Sequence, residues 1–379
     1  MNKKIGILGA GQLGKMLCLE AARLDLDLSL MDKNDRFPAA KLCKRFVAGD
    51  FKNYEDVLNF GRTVDILSIE IEAVNVDALK QLKSEGISVH PDPDQLEIIK
   101  DKGLQKQFYK KHQIPTSPFT LYEDAEEIRK AVAQSSLRLP FVQKARKDGY
   151  DGRGVHVVRK EADLEKLLDT ASLVEPLVDI EKEIAVIVAR NENDEVKAYP
   201  AVEMEFHPTA NLVEFLFCPS EISEMEESIA QKLARDLIRA FDICGLLAVE
   251  MFLTKQGKIL INEVAPRPHN SGHHTLDSAK TSQFEQHLRA ITNLPLGSCE
   301  NISPAVMINL LGEDSYAGPV KYEHLEEMLQ VNGLKILLYG KTETRPFRKM
   351  GHATILDASL ERAKEKARKA KSILKIISV

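Results

Sequence analysis

Short apolar runs alternate with amphipathic stretches through the first part of the chain. Lys4-Ile5-Gly6-Ile7-Leu8 predicts a buried strand, the residues after it to about Leu24 an amphipathic helix, and Asp27-Leu28-Ser29-Leu30-Met31 the next strand. Val64-Asp65-Ile66-Leu67-Ser68-Ile69 is a further buried strand, ending in Glu70-Ile71-Glu72. Apolar strands alternating with helices predict an open α/β sheet. Pro91-Asp92-Pro93-Asp94 punctuates the chain and caps a helix expected from Gln95 to His112. That closes an N-terminal unit at residues 1–99.

Beyond this point the period shortens to two. Leu139 to Arg146, Val155 to Val158, Ser172 to Val178, a run through Arg190 and Val196 to Val202 read as strands of antiparallel sheet. A long helix is expected from Ser220 to Ile243, opened by Ser220, Ser223 and Glu227, with an apolar stripe at Ile229, Leu233, Leu237 and Phe241. Two strands follow, Leu246 to Leu253 and Lys258 to Ile261, turned by Gln256-Gly257; each is expected to end near a carboxylate. A helix from Ser282 to Thr292 and a tail of strand, helix and strand complete the pattern. The expected units are 1–99, 100–295 with a lid at about 117–178, and 296–379.

Composition narrows the class. Hydrophobic residues make up 44% and charged residues 29% of the 379, as in ordinary soluble proteins. The net charge of −5 argues against a nucleic-acid partner. Cys18, Cys43, Cys218, Cys244 and Cys299 are far apart, which favours a reducing compartment over a disulfide frame or zinc site. No apolar run reaches a membrane span, and the first strand starts too early for a leader, so a cytoplasmic enzyme without membrane contact is expected.

Four stretches carry chemistry. Gly9-Ala10-Gly11-Gln12-Leu13-Gly14, with Asp32 closing the next strand, has the spacing of a dinucleotide fingerprint and alone would indicate an NAD-dependent oxidoreductase. Gly149-Tyr150-Asp151-Gly152-Arg153-Gly154 lies between two strands, where it can fold over phosphates, and Lys144 precedes it within reach of them. Glu250 and Glu263, with Asn262 beside them, are hard ligands suited to Mg²⁺ (or Mn²⁺) bridging a polyphosphate. After them Pro266-Arg267-Pro268-His269-Asn270-Ser271-Gly272-His273-His274 packs one guanidinium, three imidazoles, an amide and a hydroxyl into one loop. Near the end, Lys341, Arg345, Arg348 and Lys349 flank Pro346-Phe347 on a turn that can converge on a phosphate.

The run Asn262 to His274 resembles the signature of the ATP-grasp carboxylases of purine synthesis, specifically the N5-carboxyaminoimidazole ribonucleotide synthase family. The likeness continues through Thr281 to Ile291, Gly149 to Gly154 and Arg348-Lys349-Met350-Gly351-His352, and so covers essentially the whole chain. It implies an α/β ATP-grasp fold with an N-terminal Rossmann-like pre-ATP-grasp domain and a small C-terminal domain completing the substrate site. It also implies carboxylation of 5-aminoimidazole ribonucleotide by bicarbonate and ATP, in a homodimer whose product passes to a separate carboxyaminoimidazole ribonucleotide mutase. On this reading the glycine loop faces the ribonucleotide, making Gln12 and Glu70 contacts; Glu72 is either a contact or the cap of the next helix. Lys102 reaches the nucleotide where the family usually has arginine, with Gly103 in place of its common leucine, and Lys147-Asp148 depart from its phosphate loop. The other lysines of that helix read mostly as a solvated face.

The adenine would lie against backbone at Pro176, Leu177 and Val178, with Glu175 on its amino group, Glu183 on the ribose and His207 nearby. Arg267 would clamp an oxyanion, His269 would move a proton, and Asp151 would accept one from the substrate amine. Tyr150, Arg153, Lys341 and Arg348, with Ser271, would gather the ribonucleotide. Three competitors stand beside this reading. The first is the formate-dependent glycinamide ribonucleotide formyltransferase of the same superfamily, recommended by Glu70-Ile71-Glu72-Ala73. The others are a biotin-carboxylase-like subunit and a non-catalytic nucleotide sensor.

Overall fold

The computed structural model describes residues 3–147, 149, 154–208 and 212–379. Five parallel strands form the first sheet, in the order Arg45–Ala48, Asp27–Asp32, Lys4–Leu8, Ile66–Ile69, Ser88–His90. Their apolar sequences are explained by cover on both faces. Ile5, Ile7 and Ile66 face one buried cluster with the helix Gln12–Arg23, while Leu8, Leu67 and Ile69 join another with the helices Tyr54–Gly61 and Val76–Ser84. Strand order reverses between Lys4–Leu8 and Ile66–Ile69, the place where open sheets of this kind bind ligands. The glycine loop follows the first of these strands and Glu70 the second.

The helix expected from Gln95 to His112 is two helices, Pro93–Ile99 and Lys102–Lys111. Asp101 breaks it by capping the second: its carboxylate accepts from the N–H groups of Gly103 (2.8 Å) and Leu104 (3.2 Å). The long helix starts later than expected, at Glu224, because Ser223 and Glu226 form the capping box. Glu227 accepts instead from the Ala201 N–H, at 2.9 Å.

A nine-stranded antiparallel sheet forms the centre. The strand Ile180–Arg190 pairs with Gly245–Thr254, which pairs with Ile259–Ala265. On its other side the sheet runs through Val202–Phe206 and Val213–Cys218 into Ala305–Leu311, Lys349–Leu356 and Leu334–Leu338. Strands from the expected third unit, 296–379, therefore continue this sheet across the Phe217–Val306 pairing. The helix Leu360–Ile373 covers them with Ala363, Ala367 and Ala370.

A separate four-stranded sheet falls within the expected lid: Thr120–Tyr122, Ser172–Pro176, Phe141–Ala145 and Val155–Val158 in order. It has its own small core, with Ala125 and Ile128 of a covering helix against Phe141, Val158 and Val174. Among the described residues, no helix is long and apolar enough to cross a membrane.

Candidate active site

The glycine loop is already filled. Glu70 turns its carboxylate into the crook and accepts from the backbone N–H groups of both Gly11 and Gly14. A Cβ on Gly9 would stand 2.3 Å from the Glu70 side chain, so glycine there makes room for an internal anion. Burial pushes the Glu70 carboxyl up to about 7. An acidic group fills the seat that a dinucleotide's phosphate would take, and Gln12 sits beside it on the same turn. Glu72 is not the cap of the following helix; Asn75 is, accepting from Ala78 N–H at 2.9 Å. Glu72 instead pairs with Arg267 at 2.8 Å.

The two metal-type carboxylates do not end their strands as expected. Both lie within them as direct cross-strand partners, Glu250 opposite Glu263. The register slips beside them: Met251 pairs with Ile261, leaving Asn262 as an extra residue. Such a bulge breaks the two-residue alternation. Ile261 and Val264 are therefore buried in the core, while Asn262 and Glu263 are both left half-buried toward the cleft. Burial, then the carboxylates of Glu263 and Glu183, raise Glu250. Glu263 is held low, chiefly by Lys102, which forms an ion pair with it. The donors suit a hard divalent cation, but two carboxylates are not a complete shell. Among the described residues no group of three or more His, Cys, Asp or Glu is set to hold a metal.

The lysines of the cleft take partners the sequence did not announce. Glu175, expected on the adenine amino group, lies 2.6 Å from Lys106 and 2.7 Å from Lys144. Burial alone would raise its carboxyl, but Lys144 and Lys106 outweigh that and hold it low. Lys106, read as part of a solvated face, is 2% exposed, and burial lowers its ammonium to about 8. Its four-residue spacing from Lys102 was the one sequence signal that both look the same way. Lys144 also donates to Asn262 Oδ1 at 2.8 Å, tying the lid to the bulge. Lys102, Lys106, Lys144, Asn262 and Glu263 border a cavity of about 10 Å³, room for about one water molecule. Admitting a nucleotide therefore requires the groups that close it to separate.

Removing the shared anion tests this network. Glu175→Leu leaves two buried ammoniums facing each other, so unfolding free energy should fall by about 3–5 kcal/mol. Urea denaturation reads it; an unchanged midpoint would show that the three groups do not depend on one another.

Asp101 does more than cap. Arg146 grips it with two bonds, of 3.0 and 2.8 Å, and Lys102 N–H donates to Arg146 O at 2.9 Å. A Cβ on Gly103 would fall 2.7 Å from Arg146 Nε, so the family's leucine does not fit beside this pair. Beyond Arg146, the ends of the glycine-rich loop close: Ala145 N–H donates to Gly154 O at 2.7 Å, and Gly149 Cα lies 3.4 Å from a Cβ placed on Gly154. Tyr150, Asp151, Gly152 and Arg153 lie outside the described residues.

The loop after the metal-type strands is held by Gln283 of the helix Gln283–Ile291, whose amide accepts from His269 N–H (3.0 Å) and donates to His269 O (2.7 Å). Ser271 is 1% exposed; it meets the imidazole of His269 at 2.9 Å and so orients that ring, where contact with ribonucleotide was expected. Its backbone N–H also lies 3.4 Å from His269 Nδ1. The ring's Nε2 stands 3.7 Å from Glu250.

The basic turn closes the site from the other side. Lys341 donates to Lys349 O at 2.6 Å, and Arg348 to Glu343 O at 2.7 Å. Burial, followed by the charges of Arg348 and Lys349, lowers the Lys341 ammonium to about 7, with Glu70 opposing them. Lys15, from the first helix, donates to Leu338 O at 2.8 Å and docks this turn on the glycine loop's unit. His207 sets its ring edge-on to Phe347, with ring centroids 5.4 Å apart. Glu183 is set across from Phe252 and raised by burial. Leu177 N–H donates to Pro140 O at 3.3 Å.

The comparisons agree along the chain. Residues 1–100 match the ribonucleotide synthetase preATP-grasp domain, 107–284 the ATP-grasp domain, and 305–366 the phosphoribosylaminoimidazole carboxylase C-terminal domain. The N5-carboxyaminoimidazole ribonucleotide synthase of Bacillus subtilis is 35% identical, over 93% of this chain and 91% of its own. The Thermotoga maritima N5-carboxyaminoimidazole ribonucleotide synthetase structure superposes with a TM-score of 0.91 at 45% identity, covering 100% of both chains. The Aspergillus clavatus synthase, solved with ADP and 5-aminoimidazole ribonucleotide, superposes at 0.89 and 32%, covering 98% of each. The chain spans 64% of the length of the first curated relatives, which are named phosphoribosylaminoimidazole carboxylases. With full-length relatives above 30% identity and family domains in the same order, the chain belongs to the N5-carboxyaminoimidazole ribonucleotide synthase family of ATP-grasp enzymes.

Proposed function

We propose that the protein is a carbon–nitrogen ligase. It joins bicarbonate to the amine of 5-aminoimidazole ribonucleotide at the expense of ATP, giving N5-carboxyaminoimidazole ribonucleotide, ADP and phosphate in purine synthesis. The observation that carries this reading is a chain of contacts that starts from phosphate-type lysines. Lys106 and Lys144 meet at Glu175, Lys102 pairs with Glu263, Glu263 stands opposite Glu250, and Glu250 lies 3.7 Å from His269 Nε2.

Bicarbonate is a poor electrophile until an oxygen of it carries a phosphoryl group. That oxygen attacks the γ-phosphorus, ADP leaves, and carboxyphosphate forms. The ribonucleotide amine then attacks the carboxyl carbon, phosphate departs, and the amine loses a proton. Lys144, Lys106 and Lys102 hold the ATP phosphates, Glu183 the ribose, and backbone at Val178 the base edge. Glu250 and Glu263 would hold Mg²⁺, with Mn²⁺ as a substitute, and the ion would neutralise charge developing on the phosphoryl oxygens. Arg267, oriented by Glu72, clamps the oxyanion. His269 moves a proton at Nε2 and Asp151 accepts the one from the amine. Tyr150, Arg153, Lys341 and Arg348 gather the ribonucleotide beside Gln12 and Glu70. Carboxyphosphate hydrolyses readily, so closure of the lid over it is part of the reaction. The enzyme acts as a cytoplasmic homodimer, and its product passes to a separate mutase.

An assay pairing each of 5-aminoimidazole ribonucleotide and glycinamide ribonucleotide with bicarbonate or formate decides between reactions. Stoichiometric ADP is expected only with the aminoimidazole compound and bicarbonate. ADP release with glycinamide ribonucleotide and formate would assign the formyltransferase reaction instead.

A further inference from the structure

Three lysines line the nucleotide cleft, and they divide unequally. Lys106 and Lys144 both serve Glu175. Lys102 alone of the three pairs with a carboxylate assigned to the cation, Glu263. Its backbone is fixed, because its N–H donates to Arg146 O at 2.9 Å and Asp101 caps its helix. Only its flexible stem is free to redirect the charge. Burial would lower its ammonium, yet Glu263 outweighs burial and keeps it charged.

We propose that Lys102 is a placeholder for the divalent cation. In the nucleotide-free enzyme its ammonium occupies Glu263, and nucleotide phosphate draws it away so that the cation can take its seat. The inference rests on the reading of Glu250 and Glu263 as the cation's ligands. Two facts favour the exchange. The described residues offer the cation two paired carboxylates and no third donor of that kind, so one of the pair neutralised by Lys102 leaves a poor site. The residue is also a lysine, a compact point charge on a four-carbon stem that can swing between a carboxylate and a phosphate. A planar guanidinium would grip the carboxylate in a fork and release it less readily. The device makes cation binding follow nucleotide binding.

Mn²⁺ binding, read from the free-ion electron paramagnetic resonance signal, tests this with and without ADP. Lys102→Gln and Lys102→Ala should bind Mn²⁺ without nucleotide roughly tenfold or more tightly than the wild type. Lys102→Arg, which keeps the charge, should not. ADP should tighten Mn²⁺ binding more in the wild type than in the neutral variants, because it removes there a competitor they already lack. The smaller alanine variant covers failure of Lys102→Gln to fold. No tightening in either neutral variant, or equal tightening in Lys102→Arg, overturns the proposal. Glu263→Gln separates it from the reading beneath. If that variant binds Mn²⁺ with ADP as the wild type does, the cation-site reading falls. If it binds weakly while the neutral Lys102 variants match the wild type, the placeholder role alone falls.

Discussion

Glu263→Gln should lower turnover by roughly a hundredfold or more, the scale of losing a group aimed at charge that develops in the transition state. The substitution keeps the size of the side chain and removes its charge. Three consequences follow from the geometry. The cation loses an anionic ligand. Lys102 loses its ion pair and stays near the phosphates as an unbalanced charge. Glu250, held up partly by Glu263 across the strands, is relieved of that repulsion and ionises more easily. The last effect opposes the first, which is why added Mg²⁺ should recover part of the activity. Steady-state ADP release across a Mg²⁺ titration measures all of this. Near-normal ADP release at ordinary Mg²⁺ would contradict the assignment.

The same residues show what a sequence discloses and what it withholds. The carboxylates, Lys144, Arg267 and His269 were legible because each stands in a dense local motif whose chemistry is unusual for a core. The switch from alternating strands and helices to antiparallel sheet was legible from the change in hydrophobic period. The bulge at Asn262 was not, since one extra residue in a strand leaves the apolar pattern Ile261, Val264 readable in more than one register. The break at Asp101 was hidden for a similar reason. Helical periodicity runs through it, and only the Arg146 guanidinium, far along the chain, explains why the cap forms there. The glycine fingerprint could not be interpreted alone, because identical spacing serves an external phosphate or an internal carboxylate. Glu70 decides it, and its return to the loop is a tertiary event. Lys106 looked like one of several surface lysines; its burial depends on Glu175 arriving from the lid sheet.

His269→Ala and the basic-turn variants should split the kinetics. His269 is placed by Gln283 on its backbone and by Ser271 on its ring, and Nε2 faces Glu250. So exact a support for one imidazole fits proton movement, and its loss should cost kcat roughly a hundredfold or more, with little change in ribonucleotide KM. Lys341→Ala or Arg348→Ala removes a charged contact made equally in ground and transition states. Ribonucleotide KM should then rise by roughly ten- to a hundredfold, the worth of one charged hydrogen bond, with kcat nearly kept. Lys341 adds a pH signature. Burial lowers its ammonium to about 7, so in the free enzyme the cation that binds phosphate is present below that pH and lost above it. The kcat/KM for ribonucleotide should therefore fall as pH rises through about 7, and that fall should disappear in Lys341→Ala. Its persistence there would assign the titration to another group. If His269→Ala keeps wild-type turnover while both basic-turn variants leave ribonucleotide KM unchanged, both halves of the site are wrongly placed.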